Sequence, residues 1–199
     1  REHHGFGEMH LMEELPKSRY DDAYATYLKE QGLENVQNLH GVRTQIYHIP
    51  QLSAQPKEHH GTMWVANKTV EWIENHLTTP KDAYNKTNTE QGNPFFLMCG
   101  FIQPHPPWNI PKDYKGIYKD KKLPLKIPKS RVAMYDQEDS ELFGDFDTPE
   151  HSRAIKEAYY TAVTMVDEAI GHIIDCLEKN GLLDDTIILF NSDHGEQLG

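Results

Sequence analysis

Between residues 148 and 181 the chain carries one unbroken helical signature, and it constrains the layout of everything around it. Thr148-Pro149-Glu150 supplies a cap residue followed by proline at the first helical position. Ile155, Tyr159, Ala162, Val163, Val166, Ile170, Ile173, Ile174 and Leu177 then recur at helical spacing over about six turns. Asn180-Gly181 closes the helix. The stripe is core packing rather than a cofactor-binding face. Beyond Asp184-Asp185, the apolar run Thr186-Ile187-Ile188-Leu189-Phe190 reads as a buried strand. Phe95-Phe96-Leu97-Met98-Cys99-Gly100-Phe101, introduced by Asn93-Pro94, reads the same way. A strand, a crossover helix and a second strand predict an α/β fold, part of a mostly parallel sheet with flanking helices.

The remaining segments are less regular. Asp21 opens a short helix through Ala23, Tyr24, Tyr27 and Leu28, closed by Gly32. A second helix is expected from Thr62 to about Leu77, with Val65, Thr69, Trp72, Ile73 and His76 on one stripe. Residues 33–61 read as a long surface excursion with one strand near residues 44–49. Residues 109–147 read as a Lys-, Pro- and Asp-containing wrap, and loops of that length are usually functional or mobile.

A length of 199 residues suits one domain with a sizeable core. Yet a hydrophobic fraction of 37% and a mean hydropathy of −0.73 are low for a self-sufficient globule. The net charge of −11 argues against nucleic acid as a partner. It leaves room for an anionic substrate, because a metal or a few local cations reverse the potential inside a cleft. No apolar run is long enough to span a membrane, and no signal peptide opens the sequence. Arg1-Glu2-His3-His4 reads as mid-protein sequence, so the chain is expected to be an internal piece of a longer protein. Cys99 and Cys176 fall on apolar faces and read as buried free thiols.

Two places carry chemistry. Asp193-His194 follows the last predicted strand, the end at which open α/β sheets hold ligands. Gly195 lets the backbone turn away beside the pair. Carboxylate plus imidazole suggests a metal site, although Ser192-Asp193 would equally cap a following helix. His105 lies in Gln103-Pro104-His105-Pro106-Pro107-Trp108, where the prolines are expected to hold an extended loop. A histidine fixed there is well placed to meet a ligand, and a surface imidazole without a role is the alternative. Both places follow the C-terminal ends of predicted strands, so His105, Asp193 and His194 are expected to converge.

Taken together, these motifs resemble the sulfatase family of the alkaline-phosphatase superfamily. Residues 95–108 resemble its "PFFL" strand and "PH-P-P" loop, and "TIILFNSDHGEQLG" after the Tyr159-Tyr160 helix resembles the second half of its catalytic domain. "DDAYATYLKEQG" and "ANKTVEWIENH" are similar to the helices before the histidine loop. The resemblance implies a hydrolase of sulfate esters, acting on a sulfated small molecule or glycan, with a bound divalent metal and a formylglycine nucleophile. It implies that Asp193 and His194 are metal ligands and that His105 contacts the sulfate or the leaving oxygen. Gln103 would also face substrate, although relatives often carry Lys there. Calcium ranks first by resemblance; imidazole suits manganese or zinc better. An extracytoplasmic location (periplasmic, secreted or lysosomal) is implied as well.

Several family elements are not found. The paired aspartates that complete the metal shell and the "C-x-P-S-R" or "S-x-P-x-R" segment that yields formylglycine are missing, and neither Cys99 nor Cys176 fits that pattern. The chain therefore reads as the central and C-terminal portion, residues 1–199, of a single sulfatase-like catalytic domain. The N-terminal nucleophile segment and the C-terminal subdomain are absent from that reading, and the piece alone is expected to be inactive. Two alternatives stand beside it: a phosphonate monoester or phosphodiester hydrolase of the same superfamily, and a non-catalytic binding domain.

Overall fold

The computed structural model describes residues 5–14, 22–33, 38–43, 49–78, 94–124 and 149–196. Three helices dominate them: α1 (Ala23–Glu30), α2 (Gly61–Thr78) and α3 (Pro149–Lys179). Each falls within about two residues of its expected bounds, because helix ends are written in local chemistry. The cap of α1 lies at Asp22, one residue beyond the expected Asp21. The Asp22 carboxylate accepts the Ala25 N–H at 2.7 Å and the Glu13 N–H at 2.7 Å. Such a cap satisfies amides that the first turn leaves without partners.

α1 and α3 end alike. Gly32 and Gly181 adopt φ of 72° and 66°, and the next residue reaches back: Leu33 N–H to Leu28 O and Leu182 N–H to Leu177 O, both 2.8 Å. A side chain at either glycine would strain this left-handed closure.

α2 buries two faces where one stripe was expected. Trp64 and the half-buried Val65 pack on Tyr24 and Leu28 of α1. Met63, Ala66 and Ile73 pack on Ala169, Cys176 and Leu177 of α3. Ala66 and Ala169 are both fully buried, and small residues at that point let two helices approach closely. Contacts advance together along both helices, so α2 and α3 run in the same direction.

The fold is α/β with parallel pairing, as expected, but the strands lie elsewhere. β1 (Gln51–Leu52) pairs in parallel with β2 (Asn109–Ile110), Gln51 opposite Asn109 and Leu52 opposite Ile110. The strand expected near residues 44–49 falls mostly outside the described residues. The run 95–101 is extended: Phe95, Leu97 and Phe101 pack on the α2–α3 pair, while Phe96 and Met98 are 79% and 75% exposed. It runs opposite to the helices, yet has no ladder among the described residues. The run 186–190 has none there either, and Ile187 is 98% exposed. A strand is defined by hydrogen bonds to a neighbour, and neither apolar run has that ladder among the described residues.

Candidate active site

The Pro-His-Pro-Pro segment is a folded turn, not the extended loop expected. The Ile102 carbonyl accepts the His105 N–H at 3.0 Å, and the bonds before Pro104 and Pro107 are cis. Side chains close the turn: Trp108 Nε1 donates to Pro104 O at 3.0 Å, and Gln103 Nε2 donates to Pro107 O at 3.3 Å. Gln103 is thus buried against its own turn. Its Oε1 is buried and has no hydrogen-bond partner among the described residues.

Behind the turn the wrap expected over 109–147 begins as core. Trp108, Ile110 and Tyr114 pack on Ala158, Ala162 and Met165 of α3. Tyr114 OH donates to Glu168 Oε2 at 2.5 Å, and Lys57 Nζ bonds Glu168 Oε1 at 2.5 Å. Lys57 and Tyr114 hold the Glu168 carboxyl below its ordinary range. Burial, then Glu168, pushes the Tyr114 phenol up to about 12. This cluster joins three segments behind the histidine turn.

A small cleft opens in front, lined by Met12, His40, His60, Thr62, Gln103 and His105 among others. His60 is buried; its Nε2 donates to Asn109 O at 3.0 Å, and its Nδ1 accepts the Thr62 N–H at 3.3 Å. Burial pushes the ring down to about 4, so it is neutral at physiological pH. It ties the start of α2 to β2 directly after the histidine turn. His40 is lowered by burial as well. His105 itself is half-exposed; Nδ1 donates to Pro106 O at 2.6 Å and lies 3.2 Å from Glu14 Oε1, which Arg43 also contacts. No local pattern in the sequence marked Glu14, Arg43, His40 or His60, because their roles rest on contacts between distant segments.

The Asp193-His194 pair stands in solvent, with side chains 85% and 76% exposed and 3.6 Å apart. Local backbone shapes it. His194 N–H donates to Asp193 Oδ1 at 2.9 Å, Ser192 Oγ donates to His194 O at 2.6 Å, and His194 Nδ1 donates to Gly195 O at 3.0 Å. The His194 N–H, then its ring, holds the Asp193 carboxyl below the usual range. The Gly195 carbonyl, then Asp193, raises the His194 ring. An ionised carboxylate beside an imidazole is a donor pair suited to a divalent cation, although His194 must shed its proton to ligate. Among the described residues no three His, Cys, Asp or Glu side chains are grouped to hold a metal.

α3 links the two loops. Tyr159 packs on the Trp108 cluster, and its phenol is raised by burial and then by Glu196. Both loops therefore border the same turns of that helix. The thiols of Cys99 and Cys176 are unpaired in any disulfide and pushed up by burial, as befits packing residues. No helix among the described residues is long and apolar enough to cross a membrane.

A family model described as Sulfatase matches residues 3–199. An arylsulfatase of Clostridium perfringens (strain 13 / Type A) is 31% identical over 144 residues, covering 70% of this chain and 27% of that protein. The multifunctional alkaline phosphatase superfamily protein PehA of Trinickia caryophylli is 31% identical over 126 residues, covering 54% and 24%. The choline-sulfatase of Rhizobium meliloti (strain 1021) is 31% identical over 123 residues, covering 57% and 24%. The chain thus spans about a quarter of the length of the curated relatives it matches.

Proposed function

This chain belongs to the sulfatase family, and from that premise we propose that it forms the central and C-terminal portion of a catalytic domain that hydrolyses sulfate esters. The observation that carries the reading is the built turn at His105: a half-exposed imidazole on a backbone fastened to α3 and bordering a small cleft. His105 hydrogen-bonds or protonates the departing ester oxygen, and Gln103, which lines the same cleft, borders the substrate. By resemblance to the family, a sulfated sugar is the substrate class we favour.

Asp193 and His194 would hold the divalent metal, calcium before manganese or zinc. Bound there, the metal neutralises charge on the sulfate. The formylglycine nucleophile would come from a segment outside these 199 residues, since neither cysteine here lies in its pattern. An extracytoplasmic location accords with the reading.

A second reading, phosphodiester or phosphonate monoester hydrolysis, is favoured by the similarity to PehA. The test compares turnover of an aryl sulfate, a sugar sulfate and an aryl phosphodiester by the full-length enzyme. Preference for both sulfates by kcat/KM, lost with Asp193→Asn, is expected. Preference for the diester would establish the second reading, and no turnover of any of them would leave a binding domain.

A further inference from the structure

One carboxylate oxygen joins the histidine turn to two other segments. Glu14 Oε1 contacts Arg43 Nη2 and lies 3.2 Å from His105 Nδ1. Glu14 precedes α1, Arg43 lies between α1 and β1, and His105 sits on the turn. The Arg43 side chain is 20% exposed and that of Glu14 39%. Such shielding makes a charge-assisted contact worth more than one fully in water. The turn itself fixes the rest of the geometry: Nδ1 donates to Pro106 O at 2.6 Å, and the Glu14 carboxylate lies beside the same nitrogen. His40 and His60, which line the same cleft, are disfavoured as cations by burial. The charges of Glu14 and, behind it, Arg43 are set beside His105.

We propose that Glu14, clamped by Arg43, is a positioning residue for His105 that holds the ring in the orientation its turn sets. This rests on the reading of His105 as the group that serves the leaving oxygen. In the step, the nucleophile of the full-length enzyme bonds to sulfur, the bond from sulfur to the ester oxygen breaks, and imidazolium Nε2–H passes its proton to that departing oxygen. The ring is left neutral, with Nδ1–H retained on Pro106 O. A carboxylate that orients an imidazole through its second nitrogen typically contributes about 10- to 100-fold. Arg43 holds Glu14 in place, and neither residue need touch substrate.

The test uses the full-length enzyme as wild type, Glu14→Gln, Glu14→Asp, His105→Ala and the Glu14→Gln/His105→Ala double variant. Each is assayed on 4-nitrophenyl sulfate, whose leaving group needs little protonation, and on an alkyl or sugar sulfate, whose leaving group needs it. Glu14→Gln is expected to lower kcat about 10- to 100-fold on the poor leaving group and far less on nitrophenyl sulfate. Glu14→Asp should recover part of the loss, and the double variant should be no slower than His105→Ala alone. Equal losses on both substrates, or losses that add to those of His105→Ala, would make Glu14 merely structural and overturn the proposal. So would a wild-type rate for Glu14→Gln. If His105→Ala itself shows no leaving-group dependence, the role given to His105 fails first, a result separate from any behaviour of Glu14.

Discussion

Trp108, three residues past His105, is 3% exposed, whereas Phe190, three residues before Asp193, is 78% exposed. Both belong to apolar stretches that lead to or from a candidate site, and composition alone would bury both. The difference lies in partners. The histidine turn takes its support from α3, α2, β1 and the segment before α1, all among the described residues. The 186–196 segment has the short local bonds of its own turn and the neighbourhood of Tyr159. A rigid site needs side chains locked by surrounding packing; the first loop has that support here and the second has much less.

The largest expected effects separate the chemistry of the two loops. In the full-length enzyme, Asp193→Asn should cut kcat/KM by roughly 10³-fold or more and lower bound metal in parallel. His105→Ala should reduce kcat by about 10²–10⁴-fold with metal content unchanged. Rate assays and elemental analysis on the same two preparations check this. Normal metal with Asp193→Asn would end the ligand assignment, and a near wild-type rate for His105→Ala would remove it from the site.

Packing gives the next contrast. Trp108→Ala should destabilise the chain by about 3–5 kcal/mol, read as a fall in the denaturant midpoint. A loss under about 1 kcal/mol would mean that the turn is not anchored through that indole.

Acid should attack the buried loop through His60. Its folded value of about 4 lies below the ordinary 6.5, so between those pH values the unfolded chain binds a proton that the folded one does not. The stability from keeping His60 neutral is fully present above pH 6.5, is lost as pH falls toward 4, and levels off below it. The span corresponds to about 3 kcal/mol. His40 acts in the same direction. Chemical denaturation across this range should show the slope, and His60→Gln should flatten it; an unchanged slope would place the effect elsewhere.

The smallest effect is expected at the exposed run. Phe190→Ser in this chain should shift stability by no more than about 0.5 kcal/mol, because the ring leaves little buried surface behind. A loss of 2 kcal/mol or more would show that the run packs in solution and would dissolve the contrast with Trp108.

Against these contrasts, the sequence by itself determined the three helices and the left-handed closures at Gly32 and Gly181. It also determined the family the chain belongs to. Helical hydrogen bonds close within four residues and caps within three, so the information lies inside a short window. Tertiary structure decided that α2 buries two faces, that the parallel pair forms at Gln51–Leu52 and Asn109–Ile110, and that the Pro-His-Pro-Pro segment folds into a turn. It alone gathered Glu14, Arg43 and His60 around the histidine loop. Ladder bonds, buried polar contacts and shared carboxylates each require a partner from far along the chain. No periodicity encodes that partner, and only the packed helices bring it within reach.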